Sequence, residues 1–400
     1  MPLENDPKTA YTTLITKSSY LAGVIILAYS LKKHGAKYPL IVLYTPNLEN
    51  TPALRALALE APYTNLILKK TEQLLPTGKT KLIAERFADT WTKLHVFELY
   101  EDGWERVCYL DADMMIMKNM DTIFDNFPAK DHIAATHVCC CNKDHDAWAP
   151  ASWTPENCAF SLVKHPEALT HPTPVSSQPE THALLNGGMF LFSPSQELWD
   201  QMLHHFNTST TIKEMMFPDQ DFLAEFFRGK WESRGWQYNA LKTMRYWHEN
   251  IWRDDEVRCL HYIVDKPWVK RVGEDGIAGY LGRDGETHSW WWTEWERWTE
   301  ERKREGETEV VDILRKFVAR PPGEEGEEDE EMRAIGSNVQ GMANGHKKEE
   351  GNAKETSGDK EEDENSKAPG IEDIVNPAPG FKATKRGLME RGHGPVVHSK

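Results

Sequence analysis

Hydrophobic and polar positions along the first half of the chain alternate between two patterns. Short apolar runs, typical of buried strands, are followed by longer runs in which apolar residues recur three and four positions apart. The short runs predict strands at residues 10–16, 38–45, 65–70 and 106–113. The longer runs predict helices at residues 18–35, 51–61 and 89–103. Strands and helices that alternate in this way form a mainly parallel sheet with helices on both faces.

The second half has fewer regular elements and one long interruption. Strand-like runs occur at residues 132–137 and 187–193, helix-like runs at 195–206 and 217–227, and another apolar segment at 258–268. Residues 138–183 are rich in proline and polar side chains. A loop of this length inside a compact domain is usually functional or mobile.

The composition changes towards the C-terminus. Residues 289–305, SWWWTEWERWTEERKRE, predict a helix with an aromatic face, which we expect to dock against the main domain rather than to stack on sugars. From residue 321 aliphatic side chains are scarce and charges are dense, which is typical of disorder. We therefore predict an α/β domain at residues 1–275, a tryptophan-rich helical extension at 276–320 and a disordered charged tail at 321–400.

The charge and the N-terminal residues narrow the classes of function. A formal net charge of −16 argues against nucleic-acid binding, which needs a basic face, although much of the acid lies in the last segment. The first residues lack the basic and apolar regions of a secretory signal. The apolar run at residues 20–31 is too short to span a bilayer. We expect a cytoplasmic protein with neither a membrane nor a nucleic-acid partner.

Cysteine spacing gives a further expectation. The chain has six cysteines, three of them consecutive: Cys108, Cys139, Cys140, Cys141, Cys158 and Cys259. Such spacing suits neither a secreted disulfide framework nor the spaced pairs of a zinc site. We therefore expect reduced thiols.

Two carboxylates directly follow the apolar strand VCYL. Asp111 and Asp113 are two positions apart, so on an extended segment their side chains point the same way. They then converge at the carboxyl end of the strand, the edge of a parallel sheet where ligands bind. Like charges at that distance repel unless a cation joins them, and carboxylate oxygens suit Mg²⁺ or Mn²⁺. The DxD pattern is common and often caps a turn, so by itself it does not indicate a metal site. The other segments of the chain are needed to assign its role.

Three later segments add compatible chemistry. In LNGGMFLF, Asn186 and two glycines precede a predicted strand and allow close backbone approach to a ligand. PDQDFL supplies Asp219, Gln220 and Asp221 near a predicted helix start. LHYIVDKPW supplies His261 and Lys266, a metal-ligand type and a phosphate partner. Each residue alone also has a structural interpretation, as a core histidine, a surface lysine or a helix cap.

The order of these motifs resembles glycosyltransferase family 8, the group of glycogenin and galactinol synthase. The resemblance covers residues 11–268 and includes TTLITKSSYLAGVIILAYSLKKHG, TKLHVFEL, YLDAD, LNGGMFLFSPS, DQDFL and HYIVDKPW. It implies a GT-A (nucleotide-diphospho-sugar transferase) fold, with a Rossmann-like, mainly parallel sheet flanked by helices. It also implies retaining transfer of a hexose from a UDP-sugar, with Mn²⁺ or another divalent cation as cofactor.

By position, the resemblance assigns the site residues. Uridine and ribose would contact Leu14, Thr16, Lys17 and Tyr20, where Lys17 replaces the asparagine usual in glycogenin. Other donor contacts would come from Arg86, Lys93, Asn186, Gly187 and the backbone of Ala112. Asp111, Asp113 and His261 would hold the metal. The catalytic residues would be Asp219 and Gln220, beside the transferred sugar, and Lys266, at the diphosphate. The HYIVDK segment is one residue shorter than in glycogenin.

The acceptor is the least determined part of the prediction. Tyr246 lies near the position of the tyrosine that glycogenin glucosylates, but its neighbours and the cysteine-rich insertion are more similar to galactinol synthase. We therefore favour a small polyol or sugar acceptor, with glucose and galactose both open as the transferred sugar. A self-glucosylating protein and a non-catalytic nucleotide-sugar-binding scaffold are the alternatives. The resemblance is compatible with a homodimer, and the tail is a candidate for binding a protein partner.

Overall fold

The molecule is built around a seven-stranded sheet. The structure, a computed structural model, describes residues 7–76 and 89–321. In the order β3-β2-β1-β4-β7-β6-β8, the sheet contains β1 (Thr9–Ile15), β2 (Leu40–Tyr44), β3 (Leu66–Lys70), β4 (Arg106–Leu110), β6 (Ile133–His137), β7 (Leu185–Phe192) and β8 (Trp231–Ser233). The predicted strands of the first half are therefore all present, within two residues at their starts.

Strand direction agrees with the predicted fold class except at β7. The β3-β2-β1-β4 pairs and the β6-β8 pair are parallel, whereas β7 is antiparallel to both β4 and β6. Six of the seven strands described in this sheet therefore point the same way, as a mainly parallel sheet requires. The sequence interpretation of β7 was wrong in one respect: the strand begins at Leu185, so Asn186 lies inside it and not before it.

Helices cover the sheet on both faces. They are α1 (Leu21–Lys33), α2 (Pro52–Thr64), α3 (Gln196–Thr208), α4 (Pro218–Phe226), α5 (Met244–Trp247), α6 (Gly285–Arg304) and α7 (Thr308–Leu314). Neighbouring strand residues face opposite sides: Cys108 and Leu110 join one apolar cluster, and Val107 and Tyr109 join the other. The predicted helix at 89–103 is instead a 3₁₀-helical segment, Thr90–Asp102, which is long for that conformation.

A small second sheet brings distant segments to the end of β4. It contains β5 (Met114–Ile116), β10 (Cys259–His261) and β9 (Ala240–Leu241), in the order β5-β10-β9. His261 is the register partner of Met114, and the amide of Tyr262 donates to the carbonyl of Asp113 at 2.9 Å. This antiparallel pairing places the histidine beside the carboxylates of the turn between β4 and β5.

The tryptophan-rich helix α6 is part of the main apolar core. Trp291, Trp295 and Trp298 are buried, as the docking interpretation expected. At the far end of the helix, Arg302 forms a buried, two-pronged ion pair with Glu60 of α2, at 2.6 and 2.8 Å. Among the described residues, no helix is both long and apolar enough to cross a membrane. The predicted disordered tail, apart from its first residue, lies outside the described residues.

The cysteines depart from one of the expectations. All six are free thiols, as predicted. However, Cys139, Cys141 and Cys158 converge on His248, an arrangement that the cysteine spacing did not predict. The histidine comes from a segment far along the chain.

Candidate active site

One cavity of about 730 Å³ lies at the carboxyl ends of β1 and β4. Its wall contains every predicted site residue that the structure describes: Leu14, Thr16, Lys17, Tyr20, Lys93, Asp111, Ala112, Asp113, Asn186, Gly187, Asp219, Gln220, His261 and Lys266. The remaining predicted residue, Arg86, lies outside the described residues. The fold therefore gathers segments that are more than 200 positions apart into one cleft.

Asp111, Asp113 and His261 form a compact group of potential metal ligands. The Nε2 atom of His261 lies 3.3 Å from Oδ1 of Asp113 and 3.8 Å from Oδ2 of Asp111. The phenol of Tyr109 donates to Oδ1 of Asp111 at 2.8 Å, which restrains that carboxylate. The expected extended segment through Asp113 was wrong: β4 ends at Leu110, and both carboxylates reach the same place because the chain turns there, with the amide of Met114 donating to the carbonyl of Asp111.

Asn239 fixes the orientation of His261, and the sequence analysis gave it no role. Its Nδ2 donates to Oδ1 of Asn186 at 2.8 Å and to Oγ1 of Thr136 at 2.9 Å, which uses both amide hydrogens. Its Oδ1 therefore accepts from Nδ1 of His261, at 2.8 Å. The histidine proton is then on Nδ1, and the Nε2 lone pair faces the two aspartates.

This donor set fits a divalent cation. Oδ2 of Asp111, Oδ1 of Asp113 and the imidazole lone pair are all acceptors that face one another, so a positive charge between them is favourable. Oxygen and nitrogen ligands of this kind suit Mn²⁺, and a partner on the second ring nitrogen is what metal-bound histidines usually have. The geometry therefore favours a cation at Asp111, Asp113 and His261.

Lys93 joins the metal-ligand group to the start of α4. Its Nζ lies 2.9 Å from Oδ1 of Asp111 and 2.5 Å from Oδ2 of Asp219, and it donates to the carbonyl of Gly187 at 3.1 Å. Burial acts to lower the pKa of Lys93, but the two carboxylates outweigh burial and raise it above its usual value. Lys93 is therefore an ammonium that holds both aspartates in place.

Lys266 performs a similar role at Asp113. Its ammonium forms a close ion pair with Oδ2 of Asp113 and donates to the carbonyl of Tyr262 at 2.9 Å. Burial alone would raise the pKa of Asp113, yet Lys266 and His261 hold it well below its usual range. For Asp111 burial prevails, and its pKa is raised although Lys93 acts in the opposite direction.

Two glycines permit the close packing around these ligands. A Cβ atom on Gly188 would lie 2.4 Å from Cε1 of His261, too close for any real contact. A Cβ atom on Gly23, in α1, would lie 2.2 Å from the carbonyl oxygen of Ala112. Glycine is therefore required where β7 passes the histidine and where α1 passes the aspartate turn.

The loop between His261 and Lys266 contains a strained residue. Val264 has φ of 67°, a left-handed conformation that β-branched side chains rarely adopt. This turn directs Lys266 back towards Asp113 within the short HYIVDK segment. Backbone strain of this kind is concentrated at ligand-binding loops.

Part of the cavity wall is aromatic and acidic. Trp153 and Phe217 are parallel, with ring centroids 6.3 Å apart, and Trp148 packs edge-on against both. Asp144 and Asp146 line the same cavity. Four of these five residues come from the long insertion after β6, for which the sequence analysis proposed no residue roles.

Tyr246 does not belong to this wall. Its neighbours Thr243 and Trp247 line the cavity, but Tyr246 itself does not. Its ring lies under the guanidinium of Arg283, 5.6 Å from centroid to Cζ. Burial, with Asp284 and Asp144 nearby, raises the pKa of its hydroxyl above the usual value.

Comparison with known families agrees with this arrangement. The family model described as glycosyl transferase family 8 matches residues 12–271, well over half of the chain. The chain belongs to glycosyltransferase family 8. It is therefore a glycosyltransferase, as the motif order predicted, and the mainly parallel sheet agrees with the predicted GT-A fold class.

The individual relatives have low sequence identity to this chain. Galactinol synthase 4 of Arabidopsis thaliana is 27% identical over 278 residues, covering 67% of this chain and 76% of the relative. Galactinol synthase 1 of Ajuga reptans is 27% identical over 270 residues, covering 65% and 74%. Among solved structures, galactosyltransferase LgtC in complex with donor and acceptor sugar analogues has a TM-score of 0.48 and 14% identity, covering 82% of this chain and 99% of that one.

Proposed function

We propose that this family 8 enzyme is a retaining, metal-dependent hexosyltransferase that moves glucose or galactose from a UDP-sugar to a small polyol or sugar. One observation carries the proposal: a single cavity combines the Asp111, Asp113 and His261 group, two buried lysines and an aromatic, acidic wall. The metal-ligand group and the lysines suit a diphosphate donor, and the aromatic, acidic wall suits a polyhydroxylated acceptor.

At the donor end, Leu14, Thr16, Lys17 and Tyr20 hold the uridine and ribose in this proposal. Asp111, Asp113 and His261 hold Mn²⁺ or a similar cation, which supplies positive charge to the diphosphate when bound. Lys266 exchanges its partner Asp113 for a phosphate oxygen and stabilises the charge that develops on departing UDP. The exchange is short-range because the lysine already lies beside the metal ligands.

The sugar is positioned by residues of β7 and α4. Lys93 holds the carboxylate of Asp219, and the Oε1 atom of Gln220 accepts from the amide of Gly187 at 3.3 Å and from Asn186 at 3.4 Å. These contacts preorganise two oxygen-bearing side chains next to Gly187, where the backbone allows a close approach. We assign them to the sugar face opposite the leaving group, where they stabilise oxocarbenium-like charge.

The acceptor assignment rests on the insertion. Stacked indole and phenyl rings bind the apolar faces of sugars and polyols, and carboxylates accept hydrogen bonds from their hydroxyl groups. Trp148, Trp153 and Phe217 supply the rings, and Asp144 and Asp146 supply the carboxylates. The relatives named galactinol synthase support the same preference over a protein acceptor. The exclusion of Tyr246 from the cavity wall also argues against self-glucosylation.

The test is an acceptor-dependence assay. Full-length protein is incubated with Mn²⁺ and either UDP-glucose or UDP-galactose, with and without a panel of cyclic polyols, linear polyols and monosaccharides. UDP release and intact-protein mass are recorded together. We expect release that depends on an added acceptor while the protein mass stays unchanged. Asp113→Asn should abolish release, and Asp255→Asn, at an exposed position, should not.

Two other outcomes would contradict the proposal. Mass increments of one or more hexoses that Tyr246→Phe removes would identify a self-glucosylating protein. Binding of the UDP-sugar without any release, equal in wild type and Asp113→Asn, would instead support a non-catalytic scaffold.

A further inference from the structure

Three cysteines and one histidine converge at the base of the long insertion. The Sγ atoms of Cys139, Cys141 and Cys158 lie 3.2, 3.3 and 3.7 Å from Nε2 of His248. All four potential ligand atoms lie within 4.8 Å of one another. This cluster is separate from the Asp111, Asp113 and His261 group.

Hydrogen bonding to the histidine does not explain why all three thiols converge on it. One ring nitrogen offers either a single lone pair or a single hydrogen, so it can satisfy only one of three thiols. No disulfide joins the described cysteines either. With nothing between them, at most one of the three thiols would therefore form a hydrogen bond with the histidine nitrogen.

The separations match those of a tetrahedral metal site. Bonds of about 2.3 Å to sulfur and about 2.0 Å to nitrogen, at tetrahedral angles, place each sulfur about 3.5 Å from the nitrogen. The observed separations of 3.2, 3.3 and 3.7 Å lie around that value. Three thiolates and one imidazole are a common ligand set of structural zinc.

A second cluster of potential metal ligands contains a lysine in the place where a metal ion would supply the positive charge. Asp265, Asp284 and His288 also group closely, but the ammonium of Lys242 lies among them and pairs with both carboxylates. In that cluster one ammonium supplies the positive charge between the two carboxylates. Within residues 7–76 and 89–321, no lysine or arginine is found paired with the thiols around His248.

We propose that Cys139, Cys141, Cys158 and His248 bind a structural Zn²⁺ ion. Four protein ligands complete the coordination and leave no open position for substrate, so the ion is structural and not catalytic. It joins the start of the insertion, its middle and the segment after α5, which are distant along the chain.

The proposed ion also fixes the position of the insertion residues that form the aromatic and acidic part of the cavity wall. Asp144, Asp146, Trp148 and Trp153 lie between Cys141 and Cys158, so a bond at each end closes this stretch into a loop. His248 fastens the loop next to Trp247, which lines the cavity. Cross-linking a loop of this kind stabilises it by reducing the freedom of the unbound chain.

Metal analysis of the full-length protein tests the proposal. The protein is purified without a polyhistidine tag or chelator, and zinc is measured by plasma mass spectrometry; we expect about one ion per chain. Cys158→Ser and His248→Ala should lose it. Cys140→Ser is the matched control, because the sulfur of Cys140 contacts the carbonyl of Asn157 at 3.5 Å and is not among the four ligands. This variant should retain its zinc.

Cobalt provides a measurement that does not depend on whether the variants fold. Co²⁺ alone, exchanged into the wild-type protein, should produce thiolate charge-transfer absorption and visible bands of tetrahedral intensity, and added Zn²⁺ should remove both. Wild-type protein that contains no zinc and produces no such spectrum with Co²⁺ would overturn the proposal. So would zinc loss in Cys140→Ser equal to that in Cys158→Ser.

Discussion

The role of Asn239 in orienting His261 leads to a quantitative prediction. Asn239→Ala removes the acceptor of the histidine Nδ1 hydrogen, together with the donor to Asn186 and Thr136. The side chain is fully buried, and no water is expected to replace it without rearrangement. The imidazole would then lose both its tautomer and its orientation.

The expected loss of metal affinity follows from the hydrogen bond between Asn239 and the potential metal ligand His261. Loss of such an outer partner typically lowers metal affinity by about 10- to 100-fold, which corresponds to about 1.4–2.7 kcal/mol. The assay is the Mn²⁺ concentration that gives half-maximal UDP release at saturating donor and acceptor. Calorimetric titration of Mn²⁺ in the presence of UDP gives the same constant without turnover.

A matched variant separates this effect from loss of packing. Thr136→Val removes another partner of Asn239 but leaves the contact with His261 intact. We expect its Mn²⁺ constant to change by less than about threefold, since only one neutral hydrogen bond is lost. The reasoning is refuted if Asn239→Ala folds normally and needs no more Mn²⁺ than wild type, or if both variants change equally.

Three other substitutions test separate parts of the structure. Gly188→Ala forces its Cβ into His261 and should lower Mn²⁺ affinity at least about tenfold in the same titration; unchanged affinity would contradict the close packing. Arg302→Leu leaves the carboxylate of Glu60 buried and unpaired, so urea unfolding should show a loss of about 3–5 kcal/mol, largely recovered when Glu60→Leu is added. Trp153→Ala should raise the acceptor KM by about 2- to 10-fold with the donor KM unchanged; an equal change in both would place this ring outside the acceptor site.

Local patterns accounted for much of the fold and for several residues of the cavity wall. The apolar runs identified β1 to β4 because a buried strand needs consecutive apolar side chains, and they identified α1 because both of its faces are buried. The pair Asp111 and Asp113 was recognisable from two-residue spacing after such a run. His261 and Lys266 followed from their motif, since their order along the chain is itself a local signal.

Other features depend on which segments meet in space. The direction of β7 could not be read from its apolar residues, because an antiparallel and a parallel strand bury the same side chains. The role of Asn239 could not be assigned from the sequence, since its importance comes from three partners on other strands and loops. The sequence likewise shows that the insertion contains aromatic residues, but it does not show that their rings form one wall of the cavity.

The cysteine cluster shows this division most clearly. The sequence by itself determined that the thiols are reduced and that three of them are adjacent. Only the tertiary structure decided that His248, about ninety positions beyond Cys158, completes the set. Side-chain periodicity reports whether a position is buried, whereas a ligand set depends on the path of the chain between distant segments, which the packing of the whole core determines.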